Sequence, residues 1–299
     1  MSTDNPCDLF APRSVLVPTD SSLASRTAFA HALAFSLIGE ADLTIFDASP
    51  PSRCNGSRPR TAPGVRNTLR RWGVLPADDW ARQSLGDLGL RVKRVNPPDN
   101  DLLGALAHEV CREPAELLVL GVSESDGAPA WLTSGYSDLP TLPLASVMLV
   151  PPRARGFVAL RDGALSLRQI VVIVDQSPDP APAFDVAARI VRSFSDSTAL
   201  CRVLHIGGNA TVTRAFYPNI GDMRWDGEQV IASDPDALAA ASEEADLVVM
   251  PIAARDGKDM FAPIRGGFAG QLAQRCRCPL LLIPSHTRPV LVDAVAAQR

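Results

Sequence analysis

The sequence predicts an α/β protein built from two tandem doubly wound units, each a parallel sheet flanked by helices. Three observations carry this. The segment VLVPTDSSLASRTAFAHALAF, starting at Val15, has a counterpart in VVIVDQSPDPAPAFDVAARIV, starting at Val171; each runs from a short strand into an aspartate, Asp20 or Asp175, then into an alanine-rich amphipathic stretch. Strand-like and helix-like segments alternate along the whole chain. The strand-like segments are continuous apolar runs, the mark of strands covered on both faces. A chain of 299 residues accommodates two such units, divided as residues 1–152 and 153–299 and joined near 153–167.

In the first unit, SVLVPTD (14–20) is a strand ending in a turn residue. A helix is expected over 25–37, with Phe29, Leu33 and Leu37 spaced along one face. DLTIFDA (42–48) is the second strand, and 50–70 reads as a Pro- and Arg-rich loop giving way to a short helix near Trp72. LRVKRVN (90–96) alternates as a third strand. The helix over 101–112, capped by Asn100 or Asp101, turns Leu103, Leu106 and Val110 inward. LLVLG (117–121) and SVMLVP (146–151) complete this set of strands.

The second unit repeats the order in less space. IVVIVD (170–175) is followed by a helix with Phe184, Ala188, Val191 and Phe194 on one face and Asp185 and Arg189 able to pair outside. ALCRVLHI (199–206) and EQVIAS (228–233) are strands, separated by a compressed segment, 207–227. Asp234-Pro235 opens the next helix with a capping residue and a first-turn proline. DLVVMP (246–251) and PLLLIP (279–284) are the last strands.

Composition narrows the function classes. The net charge is −4 and the one basic run, RNTLRRWG, is short and interrupted, so no nucleic-acid surface is expected. No window reaches the roughly 18 uninterrupted apolar residues of a membrane span, and the first residues show no secretory h-region. The six cysteines are scattered and read as reduced thiols, which points to the cytoplasm. Cys276-Arg-Cys278 lacks the spacing and partners of a zinc site, and no metal is expected. His31, His108, His205 and His286 are isolated and read as packing or surface residues. Gly121-Val-Ser123-Glu-Ser125 brushes the nucleophile-elbow pattern, but it closes on serine and no ordered histidine partner follows.

VLVPTDSSLASRTAFAHAL resembles the first strand and helix of universal stress proteins, and LRQIVVIVDQSPDPAPAFDVA resembles a second such start. The ending DGKDMFAPIRGGFAGQLAQRCRCPLLLIP is similar to that family's glycine loop, helix and last strand, and GAPAWLTSGYSDLPTLPLASVMLVPP is a weaker version of it. The resemblance spans nearly the whole chain apart from the termini and 50–88. It implies a five-stranded parallel sheet in each half, of the universal stress protein or adenine nucleotide alpha hydrolase-like kind, with a crevice at the strand carboxyl ends. It also implies that the halves pair through SVMLVP and PLLLIP, leaving open a further homodimer.

Many members of that family bind ATP through G-x2-G-x9-G-[ST] after the fourth strand, with an aspartate ending the first. Glycines admit phosphate close to the backbone, and helix N-terminal amides supply partial positive charge. Copy one keeps Asp20 and Gly121, but Glu124 stands at the second glycine, Ser134-Gly135 replaces Gly-Ser, and Pro140 and Pro143 cut short the following helix. Copy two keeps Asp175, but Pro251 and Ala254 stand at the first two glycines. Its loop ends in Arg265-Gly266-Gly267, with Gly267 at the hydroxyl position. Each missing donor removes about 1–2 kcal/mol, so two or three weaken binding by several powers of ten.

The expectation is a non-catalytic stress-response or regulatory protein of the universal stress protein type, with degenerate nucleotide loops and no obligatory cofactor. Any nucleotide or phosphate, ATP being the candidate, is expected in the C-terminal half at Asp175, Arg265, Gly266 and Gly267 rather than at Asp20 and Gly121. The alternatives are an ATP-binding protein with slow ATPase activity, and a binding scaffold with no small-molecule ligand.

Overall fold

The computed structural model describes residues 10–20, 22–48, 64–76, 85–97, 102–122, 146–175, 177–195, 199–206, 223–231, 233–253 and 267–285. The first half comprises β1 (Ser14–Thr19), α1 (Leu23–Ile38), β2 (Asp42–Asp47), α2 (Val65–Arg71), a 3-10 turn (Leu85–Leu88), β3 (Arg91–Val95), α3 (Leu102–Arg112), β4 (Leu117–Gly121) and β5 (Ser146–Val150). The second comprises β6 (Gln169–Val174), α4 (Ala181–Phe194), β7 (Ala199–Ile206), β8 (Met223–Ile231), α5 (Pro235–Ala241), β9 (Leu247–Ala253), α6 (Phe268–Arg275) and β10 (Leu280–Ser285).

All ten strands join one sheet in the order β3-β2-β1-β4-β5-β10-β9-β6-β7-β8. Within each half every pairing is parallel, as the continuous apolar strands require. The halves meet where β10 runs antiparallel to β5, with Leu280 opposite Leu149, Leu281 opposite Met148 and Leu282 opposite Val147. Two apolar strands therefore sit in the centre of the sheet. The outer strand β3 carries Arg91, Lys93 and Arg94, charges that discourage edge-to-edge association. Arg91 pairs with Asp42, and Lys93 with Glu109 and Glu113.

Helices cover both faces. On one face, α1, α2 and α4 share a core that includes Phe29, Leu33, Leu69, Phe184 and Phe194. On the other, α3, α5 and α6 contribute Leu106, Val110, Leu238 and Leu272. The caps follow the sequence: Ser22 Oγ accepts the Ser25 N–H at the start of α1, and the Asp234 carboxylate accepts the Ala237 N–H at the start of α5, with Pro235 in its first turn. Asp185 and Arg189 pair at 2.9 Å on the outside of α4.

Several elements differ from the sequence reading. α2 occupies the end of the expected loop, β8 begins earlier than Glu228, and β9 runs on to Ala253. The expected α3 caps, Asn100 and Asp101, lie outside the described residues, as do Cys7, Cys54, Trp131 and His286. α1 departs most: it is buried nearly all round rather than along one stripe. The reason is the joining segment, which packs instead of merely linking. Phe157, Val158 and Leu167 are buried, and Val158 bridges Leu165 in a small antiparallel turn. Phe157 sits among His31, Phe35 and Phe194, so α1 has core on its outer side too. Gly156 adopts φ +65°, and a Cβ there would lie 2.6 Å from His31 Cε1, so only glycine fits this turn.

Candidate functional site

Open α/β sheets bind ligands outside the strand carboxyl ends, where the strand order reverses. In the first half that point lies between β1 and β4, whose paired positions are Val15 with Leu117 and Leu16 with Leu118. In the second it lies between β6 and β9, paired from Ile170 with Leu247 to Val172 with Val249. Among the described residues the two points, alike in topology, differ in their surroundings.

In the first half only three residues separate β1 from α1, positions 20 to 22. The Asp20 carboxylate accepts the Ser22 N–H at 2.7 Å, while the Asp20 N–H donates to Ser25 Oγ at 2.9 Å. Asp20 thus ties its own turn to the helix start. Gly121, at the end of β4, lies against that same first turn: a Cβ there would be 2.6 Å from the Ser25 nitrogen and 2.7 Å from the Ala24 carbonyl carbon. Glycine is required here for close backbone-to-backbone packing of β4 against the first turn of α1. Glu124, Ser134 and Gly135 lie outside the described residues.

In the second half six residues, 175 to 180, separate β6 from α4. The Asp179 carboxylate accepts the Ala181 N–H at 3.0 Å, and Ser285 Oγ donates to the Asp179 carbonyl at 2.7 Å, fixing the turn to β10. A cavity of about 310 Å³ remains at the strand ends, with Asp175, Ser177, Ser233, Met250, Pro251 and Phe268 among its walls. Asp175 is exposed at its mouth. Pro251, where the resemblance expects a glycine, stands opposite Ile283 and offers no amide. Gly267 is the N-cap of α6 in extended backbone, with no side chain capping that end. Arg265, Gly266 and Ala254 lie outside the described residues.

The site therefore brings Asp175 and Pro251 together, with Gly267 at the helix beside Phe268, and keeps Asp20 and Gly121 for local packing. Sequence reasoning missed Ser177, Ser233 and Phe268. The extra length of VDQSPDPA over PTDSSL was the available signal. Among the described residues no group of three His, Cys, Asp or Glu is arranged to hold a metal, and no helix is long and apolar enough to cross a membrane. Cys201 is buried, which pushes its thiol up to about 12, and the buried Cys278 is raised by its hydrogen bond with Cys276 and by burial. Neither is poised as a nucleophile.

A universal stress protein from Archaeoglobus fulgidus superposes at a TM-score of 0.58 and 15% identity, over 94% of this chain and 99% of that one. The fold is that of the universal stress proteins. A second such protein, a putative one from Pseudomonas aeruginosa, matches at a TM-score of 0.52 and 13% identity, over 94% and 95% of the two chains. A protein of unknown function from Pseudomonas aeruginosa matches at 0.51 and 14%, over 92% and 93%. No protein-family model and no curated protein matches the sequence. The superpositions extend along nearly the whole of each neighbour and of this chain.

Proposed function

We propose that this chain is a non-catalytic regulatory protein of the universal stress protein type, acting in the cytoplasm, in which one half keeps a ligand crevice and the other is structural. The observation that carries the reading is the asymmetry between the two switch points. At β1/β4 the first turn of α1 lies against Gly121, whereas at β6/β9 a cavity of about 310 Å³ remains. That volume lies at the small end of ligand pockets. Its described walls combine apolar side chains with the Ser177 and Ser233 hydroxyls and the Asp175 carboxylate. Such a lining supports recognition of a small ligand, and among the described residues it holds no nucleophile paired with a base. A nucleotide, if bound through this fold's crevice, belongs in the second half.

The test is calorimetric titration of ATP and of phosphate into wild type, Ser177→Trp and Gly266→Val, with ATP turnover measured beside it. The tryptophan fills the crevice from an exposed position, and the valine replaces a glycine that the resemblance assigns to the phosphate loop. The reading expects turnover at the level of a matched blank and at least a tenfold loss of crevice binding in both variants. Turnover well above the blank would replace it with a slow ATPase.

A further inference from the structure

A second, larger cavity, of about 660 Å³, opens at the junction of the two halves, away from both switch points. It lies where the end of β5 meets the start of β10, since these strands are antiparallel. Its described walls include four arginines, Arg153, Arg155, Arg275 and Arg277, together with Gln274 and Cys276, and no acidic residue. In a chain whose acidic residues outnumber its basic ones, 33 to 29, such a lining is not a sample of average surface.

The arginines come as two Arg-x-Arg segments far apart in sequence, Arg153-Ala-Arg155 and Arg275-Cys-Arg277. A backbone hydrogen bond from the Arg155 N–H to the Arg277 carbonyl, at 2.9 Å, lays one beside the other. Cys276 has extended backbone, φ −65° and ψ 150°, so side chains alternate along this stretch. Cys276 and Cys278 turn into the core while Arg275 and Arg277 stay outside. Arg153 and Arg155 are likewise exposed, with Ala154 packed between them.

Among the described residues three carboxylates bear on this cluster. Asp236 pairs with Arg275, and Glu243 reaches Arg277 at 3.5 Å; their side chains are 70% and 60% exposed. Asp246, beside Cys278, is turned to the Arg168 and Gln169 N–H groups. Exposed ion pairs of this kind contribute little, so a ligand anion competes with them readily. Guanidinium forks suit phosphate oxygens in particular. Each guanidinium carries a fork of five N–H donors. Four such forks offer more donors than the oxygens of one phosphate accept at once, whereas a chain of phosphates supplies acceptors for all of them.

We propose that this cleft binds an oligophosphate chain, free or carried on a nucleoside, at the junction between the halves. The site is separate from the β6/β9 crevice and does not depend on the function assigned there.

The full-length protein is titrated with inorganic triphosphate, ATP and monophosphate. The same titrations are made on the double variant Arg153→Gln/Arg277→Gln and on Ser177→Trp. Triphosphate is expected to bind at least tenfold more tightly than monophosphate, weakening as salt rises. The double variant loses at least tenfold in triphosphate affinity, and Ser177→Trp loses nothing. Triphosphate also raises the thermal midpoint of wild type but not of the double variant, whose own midpoint in buffer reports its folding. ATP binding more tightly than triphosphate assigns the nucleoside-borne source, and equal binding assigns the free chain. Triphosphate no tighter than monophosphate, a loss in Ser177→Trp in place of the double variant, or binding of an RNA oligomer without triphosphate would each overturn the proposal.

Discussion

The backbone N–H of Phe157 donates to His31 Nε2 at 3.2 Å, and the two rings meet edge to face with centroids 4.6 Å apart. His31 Nδ1 lies 2.8 Å from the Thr27 carbonyl, so the partners assign the tautomer: Nδ1 carries the proton and Nε2 accepts. The imidazole must therefore be neutral to pin the joining segment onto α1. Burial pushes it down to about 4, opposed by its hydrogen bond with the Thr27 carbonyl.

This bond makes stability depend on pH in a stated direction. Unfolded, His31 titrates near 6.5; folded, near 4. Its contribution is fully present above the unfolded value and is lost as pH falls through 6.5 towards 4, because the unfolded chain then binds the extra proton. The loss amounts to about 3 kcal/mol. Urea unfolding of wild type and His31→Gln across this interval is the measurement. The variant is less stable near neutrality and shows a shallower decline on acidification. Parallel declines would show that His31 is not the titrating group.

Phe157 joins the two halves through its ring as well as its backbone. Its centroid is 5.4 Å from that of Phe194 in α4 and 6.2 Å from that of Phe35 in α1, and Phe35 and Phe194 are 4.5 Å apart. Phe157→Ala is expected to cost about 3–5 kcal/mol, as for other large core aromatics. The check is the urea midpoint at constant slope. A change within about 0.5 kcal/mol would mean that the joining segment adds no core.

Gly121 tests the close approach of β4 to the first turn of α1. The atoms that an added methyl would strike are backbone atoms of α1, which cannot swing aside. Gly121→Ala should destabilise by about 1–3 kcal/mol, the usual cost of overpacking. A neutral result in thermal or urea unfolding would show that α1 can retreat and that the first crevice can open.

The strands and helices were legible because apolar runs and caps are local signals: Asp234-Pro235 starts α5 where the sequence placed it. The burial of α1 was not. Its outer face is alanine-rich, and what covers it, Phe157, lies far along the chain in a segment with no periodicity. At the candidate site Asp175 and Pro251 were legible from strand ends. Ser177, Ser233 and Phe268 converge only through the sheet order. Gly121 fits a phosphate loop by position, and a Cβ there would also strike the Ala24–Ser25 backbone, a contact no local pattern announces.

The joining segment also sets where the chain should be divisible. Residues 153–168 make several contacts with the first half: Phe157 on His31 and Phe35, the Leu160 carbonyl accepting from Trp72 Nε1 at 3.4 Å, and Gly163 against the Trp72 ring. A fragment of residues 1–152 leaves the outer face of α1 bare, whereas residues 1–168 retain its cover. Both expose β5, whose Val147, Met148 and Leu149 face β10 across the antiparallel pair. Bare apolar edges of this kind promote association. The prediction is that residues 1–168 express with a larger soluble fraction than residues 1–152, and that co-expression with residues 169–299 captures the longer fragment as a one-to-one complex. Native mass measurement of the co-purified fragments reads both parts. Equal solubility of the two fragments would show that the segment is a passive tether, and independent monomers would show that β5 and β10 do not hold the halves together.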